Sequence, residues 1–395
     1  MSVISRWPDR GFSDATTSAG AGLLRTPSLA DLRRVVTDLL VAAPDGPAAV
    51  GVRGGVAVRQ AHPDPASRAA ELVQPTGTLP PGERTDARVA AATASAPDLP
   101  VGQPFRLLVG PDHVVLTARH VIGDASITNA LITGLLLAAD GRPLPDALVT
   151  PTSPGMTWAV ARTMLRSLRP MPRCHPVDLP RAEDQVWTPS PGIVHATFEP
   201  SALRRLKAQA RSLGVRRTSL LVSLVERALG TVGIAPVDDV RTVVVDCRRY
   251  LPAGRTVQGN FSAGVGLRAD WSDPEAVDGV VSLSLERARP LLHLVAGSVQ
   301  ARFPHGPVRP VAPGAPVRVR PDYSVVGPLR GAAALPWDGL PTLLSAIRPY
   351  RPDGLGVMGV EIGQALQVTL GYDRAFLGDV IPRAVLDALA DLLAA

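Results

Sequence analysis

The segment from Pro104 to Ala139 limits the fold of this chain more than any other, because it reads as two strands and a helix with a polar loop held between them. Phe105 to Val109 is an apolar run of strand length, Gly110-Pro111-Asp112 is turn chemistry, and His113 to Ala118 is a second strand. Beyond Arg119-His120-Val121-Ile122-Gly123-Asp124-Ala125, the residues Ile127, Leu131, Ile132, Leu135 and Leu136 form one helical stripe, with Asp124 or Ser126 available as N-cap. His120 therefore sits on a strand-to-helix connection, a place where rigid elements often present reactive side chains.

The rest of the chain continues this alternation. Ser28 caps a helix carrying Leu32, Val35, Val36, Leu39 and Leu40, and Ala49–Arg53 with Val56–Gln60 reads as a hairpin around Gly54-Gly55. Ala66–Val73 is a short helix, and Pro75–Glu83 is loop. Residues 141–192, with one helical candidate at Trp158–Leu168, read as the crossing between two lobes. Ser201 is the expected cap of a helix to Leu213 that Gly214 stops, and Thr218 the expected cap of the next. Arg241–Cys247 is a strand, and Asp273-Pro274 opens a helix running to about Arg289. Gly356–Ile362 and Leu366–Tyr372 form a hairpin, and Ile381–Leu393 a closing helix. A chain of 395 residues exceeds what one core usually serves. The expected division is an N-terminal lobe over 1–170 and a C-terminal lobe over 193–395.

Composition bears mainly on what can be excluded. The net charge is +6, but the basic residues are nearly all arginine, Lys207 being the only lysine, and they are interleaved with acids. With aromatics at 4%, stacking platforms for bases are scarce, so no nucleic-acid partner is expected. Cys174 and Cys247 have no metal-ligand spacing and suit a reducing compartment. Residues Met1–Arg10 lack the apolar run of a signal peptide, and no stretch is long enough to span a bilayer, so a cytoplasmic protein is expected. No metal and no tightly bound cofactor is implied, since phosphate loops, dinucleotide turns and ligand clusters are missing from the sequence.

Spacing alone leaves His120 and Asp124 ambiguous. A core histidine bonded to backbone beside a helix-capping aspartate accounts for the pattern as well as a catalytic pair does. Among the other histidines, His113 falls on an outward strand position, while His62, His175, His195, His293 and His305 fall in loops or at strand edges.

The order of segments adds what spacing does not. Pro104-Phe105-Arg106, then His113-Val-Val-Leu-Thr-Ala, then Arg119-His120-Val-Ile-Gly-Asp124-Ala125 resembles the chloramphenicol-acetyltransferase-like and condensation-domain superfamily, whose signature is His-His-x-x-x-Asp-Gly at a strand end. Val245-Asp246-Cys247-Arg248 resembles its second-lobe Asp-x-Arg strand end, Gly259-Asn260-Phe261 the turn after it, and Asp322-Tyr323-Ser324 a later strand. The resemblance spans roughly residues 25–395. Arg119 replaces the first histidine of the signature and Ala125 its glycine, and the Asp-Phe-Gly-Trp-Gly motif of the plant-type branch is missing.

What the resemblance implies is an α/β (α+β) chain of two lobes, each a mixed sheet flanked by helices, set as a V around a tunnel. His120 matches the catalytic histidine, and Asp124 and Arg248 match a structural pair joining the lobes. Arg119, Asn260 and Ser324 stand where they could contact substrate or an oxyanion. Arg248 also reads as a solvated strand-end arginine, and Asn260 and Ser324 as ordinary turn residues. The implied activity is acyl transfer or condensation from a thioester, on coenzyme A or on the phosphopantetheine of an acyl or peptidyl carrier protein, to an alcohol or amine acceptor. With no carrier domain in the sequence, the donor is expected in trans. A docking module that binds carrier proteins without turnover, or cyclisation or dehydration in the same tunnel, is the alternative.

Overall fold

In a computed structural model the described residues run from 15 to 395, except 47, 54–55, 59–63, 80–83, 154–162, 164–186, 301–316 and 330. The Gly54-Gly55 turn, most of the Trp158–Leu168 helix, and Cys174 lie outside them. The first lobe contains β1 (Thr16–Gly22), α1 (Leu29–Ala42), the β2–β3 hairpin (Gly51–Arg53, Val56–Val58), α2 (Pro65–Leu72), β4 (Val73–Pro75) and α3 (Thr85–Ala94). It continues through β5 (Phe105–Val109), β6 (His113–Arg119), α4 (Ala125–Ala139) and the short α5 (Asp146–Val149). The second lobe opens on β7 (Pro191–Phe198), α6 (Pro200–Ser212), α7 (Arg217–Thr231), β8 (Ala235–Pro236), β9 (Val240–Asp246), β10 (Ser262–Arg268), α8 (Pro274–Glu286) and α9 (Arg289–Gln300). The chain finishes with β11 (Arg318–Val326), β12 (Leu343–Ile347), β13 (Gly354–Ile362), β14 (Ala365–Asp373), the short α10 (Arg374–Leu377) and α11 (Val380–Ala394).

Two mixed sheets organise these elements. One has the order β12-β1-β6-β5-β4 and the other β10-β9-β11-β13-β14-β7, with β8 beside β11. β12 follows residue 193 in sequence yet pairs antiparallel with β1, Ser345 opposite Ala19 and Ile347 opposite Thr17. The second half of the chain thus supplies an edge strand to the first sheet, so the division at 193 does not separate the lobes cleanly. Met358, Val360 and Ile362 of β13 also pack into the first lobe's core, beside Leu343.

Local chemistry explains most of the elements. Ser28 accepts a bond from Asp31 N–H at 3.1 Å and starts α1, whose apolar stripe is buried. Gly214, at φ 67, ends the turn after α6 where only a residue free of Cβ strain fits easily. Two helix starts and one helix end differ from expectation. The cap of α6 is Glu199 with Pro200 at its first position, not Ser201, and the cap of α7 is Arg216, not Thr218. The helix expected to reach Arg289 ends at Glu286; Ala288 takes φ 47, and Pro290, which lacks an N–H, begins a new helix well.

Both faces of the first sheet are covered, and this corrects the reading of His113. Val114, Leu116 and Ala118 pack with α1 and α4, whereas Leu344 and Ala346 pack on the opposite face with Val89 and Ala90 of α3. His113 is only 2% exposed, its Nδ1 lying 2.9 Å from Asp112 Oδ1. Alternation along β6 marks two buried faces, not a wet one and a dry one. His195 is likewise buried: it lies in the middle of β7, the edge strand of the second sheet, with Nδ1 2.9 Å from Thr369 Oγ1, and burial brings its imidazole down to about 4. Gly20 allows α3 to lie on β1, since a Cβ there would run into Thr93 Oγ1 and touch Val89. Gly20→Ala is therefore expected to lose about 1–3 kcal/mol in denaturant unfolding, from overpacking.

Candidate active site

β6 delivers the chain into a 3-10 turn at His120–Ile122, anchored where His120 N–H donates to Ala15 C=O at 2.8 Å. Gly123 follows, and a Cβ there would collide with Ile127, so the loop closes tightly onto the first turn of α4. Asp124 then caps α4, its Oδ1 accepting from Ser126 N–H at 3.1 Å and Ile127 N–H at 3.4 Å. Ala125 is the first residue of the helix, a position where ordinary backbone angles serve, so its replacement of the signature glycine does not distort the cap.

The other oxygen of Asp124 faces the second lobe. Oδ2 accepts from Arg248 Nη1 at 2.8 Å, from Phe261 N–H at 2.8 Å and from the Ser262 hydroxyl at 2.9 Å. Arg248 also donates to Asp246 Oδ1 at 3.1 Å and to the Gly259 carbonyl at 2.7 Å. Asp124 is 2% exposed. Burial pushes its carboxyl up, but the Arg248 charge and the donors from Phe261, Arg248 and Ser262 outweigh this and hold it below the usual aspartate value.

His120 is 5% exposed, and Asn260 Nδ2 approaches its Nδ1 at 3.0 Å from the second lobe. Burial lowers the imidazole below its ordinary value, against the opposing pull of Asp124 and of a bond to its own backbone. It is therefore neutral at pH 7, as a proton acceptor needs to be. Which ring nitrogen carries the proton depends on the orientation of the Asn260 amide. With Oδ1 toward the ring, Nδ1–H donates and Nε2 keeps its lone pair; with Nδ2 toward the ring, the proton sits on Nε2.

Of the six residues singled out from the sequence, the structure brings together His120, Asp124, Arg248 and Asn260. Arg119 is directed elsewhere, its Nη2 3.4 Å from the Leu99 carbonyl, and its charge is not among the influences on His120. Ser324 lines a cleft with Asp322, Ser345 and Met358, between strands of the two sheets. Ser262, the Phe261 amide and Gly123 were not singled out. A serine or glycine in a loop carries no pattern of its own, and their roles depend on contacts 100 residues and more away in sequence, or on a tight approach.

The fold these elements build is shared with solved structures of an acetyltransferase and of condensation domains. Among solved structures, the trichothecene 15-O-acetyltransferase of Fusarium sporotrichioides matches with a TM-score of 0.62 at 10% identity, over 99% of this chain and 94% of that one. The first condensation domain of the calcium-dependent antibiotic synthetase matches with a TM-score of 0.59 at 18% identity, over 99% and 94%. The epimerization domain from the third module of tyrocidine synthetase B matches with 0.53 at 12%, over 98% and 92%. No family model matches the sequence, and no curated protein does. Among the described residues, no helix is long and apolar enough to cross a membrane.

Breaking a buried ion pair by removing one charge typically costs about 3–5 kcal/mol, so Asp124→Asn is expected to destabilise the fold on that scale. The stability that the carboxylate contributes is fully present above about pH 4, the unfolded aspartate range, and is lost as pH falls through its lower folded value. The difference between wild type and Asp124→Asn in denaturant unfolding is expected to shrink below about pH 4 and to be constant above it.

Proposed function

We propose that the protein is an acyltransferase or condensation enzyme that moves an acyl group from a thioester to an alcohol or amine, with His120 as general base. The observation that carries this reading is the arrangement around His120: a buried, neutral imidazole on a loop fixed by Asp124 and Arg248 and met by Asn260 from the other lobe. In the reaction, with the Asn260 amide turned so that its Oδ1 accepts from Nδ1–H, Nε2 takes the acceptor O–H or N–H proton as that atom attacks the thioester carbonyl. The tetrahedral intermediate collapses with cleavage of the C–S bond, and the imidazolium returns the proton to the departing sulfur. A positioned base of this kind contributes on the order of 10²–10⁴-fold. The likeness to an acetyltransferase and to condensation domains supports the class of chemistry, while the epimerization domain among the matches is a reminder that one fold hosts several reactions.

The donor is coenzyme A or a carrier-protein phosphopantetheine, used as a co-substrate and not a resident cofactor. A groove beside α6 and α7 supports an anionic donor: its apolar floor includes Leu206 and Leu221, and Lys207, Arg211, Arg216 and Arg217 line it. Glu361 pairs with Lys207 and Arg217, and Asp278 with Arg216, which leaves a net positive rim. A second reading, a module that docks carrier proteins without turnover, is favoured by how little of His120 reaches the surface.

Intact-mass detection of transfer from mixed acyl-CoA and acyl-carrier donors to a pool of alcohols and amines tests the assignment. His120→Ala is expected to lower turnover at least a hundredfold; equal turnover in the variant removes His120 as base, and a stable carrier complex without product supports docking. Asn260→Asp is expected to move the acidic limb of the kcat/KM profile to higher pH. A carboxylate only accepts, so it fixes the proton on Nδ1, and its charge raises the imidazole pKa.

A further inference from the structure

Between Pro200 and Val225 the sequence places the cations Arg204, Arg205, Lys207, Arg211, Arg216 and Arg217, and no acid. Arg204, Lys207 and Arg211 are spaced three and four residues apart, which sets them on one face of α6. Arg204 and Arg211 are exposed, and among the described residues no carboxylate pairs with either. Arg211 Nε donates to the Lys207 carbonyl of its own helix at 3.2 Å.

Beside this face lies the groove between α6, α7 and the ends of β11 and β13. It holds about 480 Å³ and opens to solvent, and its walls are largely apolar, Leu206, Val215, Leu221 and Val360 among them. Val326, also in the wall, is the last residue of β11. Because β11 runs parallel to β9, Val326 stands at the same edge of the sheet as Asp246, two residues before Arg248. The groove and the candidate active site thus share one edge of the second sheet.

The distribution of charge selects the occupant. In the groove, Lys207 and Arg217 are paired with Glu361, and Arg216 with Asp278. A compact polyphosphate, such as the diphosphate of a nucleotide, would meet the Glu361 carboxylate there and cations that are already paired. The unpaired cations, Arg211 at the rim and Arg204 beyond it, are about 10 Å apart along α6. Acidic side chains two turns apart on a partner helix match that separation, and an apolar side chain beside them fits the groove.

We propose that this surface docks a carrier protein through an acidic amphipathic helix, with Arg204 and Arg211 facing its carboxylates and an apolar side chain seated in the groove. The inference rests on the acyl-transfer reading and selects, of its two donors, the one held on a carrier protein.

Calorimetric titration of the full chain with each holo carrier protein of its own organism tests the proposal, with desulfo-coenzyme A as the nucleotide probe. At least one carrier is expected to bind, and more weakly as salt rises, since exposed charges are screened. Arg204→Glu combined with Arg211→Glu is expected to weaken that carrier at least tenfold and to flatten the salt dependence, with Tm unchanged. Thr218→Trp, at an exposed position of the groove wall, is expected to weaken it at least fivefold while keeping the salt dependence of the wild type. Absence of carrier binding overturns the proposal, and so does a carrier that the wild type and both variants bind equally. Desulfo-coenzyme A binding that Thr218→Trp abolishes, with no carrier bound, would make the groove a nucleotide site. Turnover of acyl-CoA without carrier binding discards the docking surface and retains acyl transfer; charge-dependent carrier binding without turnover in the intact-mass assay does the reverse.

Discussion

The contact on which the site depends is the one between Asp124 and Arg248. Two charges taken from water forfeit a large hydration energy, and their mutual attraction compensates only when the remaining donors and acceptors are also satisfied. Here they are: the carboxylate collects the Phe261 amide, the Ser262 hydroxyl and two amides of α4, and the guanidinium reaches the Val257 and Gly259 carbonyls. The bonds from the Phe261 amide and the Ser262 hydroxyl join one loop to the other, and the rest brace each loop within itself. The loop from His120 to Asp124 and the loop from Asp246 to Ser262 therefore have one shared geometry, and the approach of Asn260 to the imidazole follows from it. A buried ion pair thus sets where the His120 ring stands.

The same burial that makes this arrangement rigid also sets its protonation. Withdrawn from water, an imidazole loses its proton readily, and a carboxylate keeps its charge only if surrounded by donors. His120 and Asp124 respond in these two ways although they are four residues apart on one loop. The division of labour between a neutral ring and a charged support is a property of what surrounds each side chain, not of the motif that contains them both.

Much of this was legible in the sequence, and the parts that were not share physical causes. The β5–β6 hairpin, the caps Ser28 and Asp273, and the β13–β14 hairpin carry strong local signals, and each is found where those signals lie. β1 escaped notice because Thr-Thr-Ser-Ala-Gly-Ala-Gly has none of the bulky residues that mark strands; its small side chains are needed because α3 presses on one face and the α4 core on the other. α3, rich in alanine and weakly amphipathic, was missed for the complementary reason. His113 was placed at the surface because alternation was taken to mean one wet face, and the layering of helices on both sides cancels that inference. For the site, the residues of the signature and of the Asp-x-Arg strand end could be named in advance, whereas the direction of Arg119 and the part played by Ser262 required the fold.

β12 gives the molecule a dependence in time as well as in space. The first sheet receives its neighbours β1 and β6 within the first 119 residues, but its edge at β12 is formed by residues 343–347. On a ribosome, the strand that seals one side of β1 emerges only after nearly all of the second lobe has been made. Until then β1 offers an open row of backbone donors and acceptors, the kind of edge on which nascent chains associate wrongly. The lobes are therefore not independent folding units joined at a seam: completion of the earlier one waits on synthesis of the later.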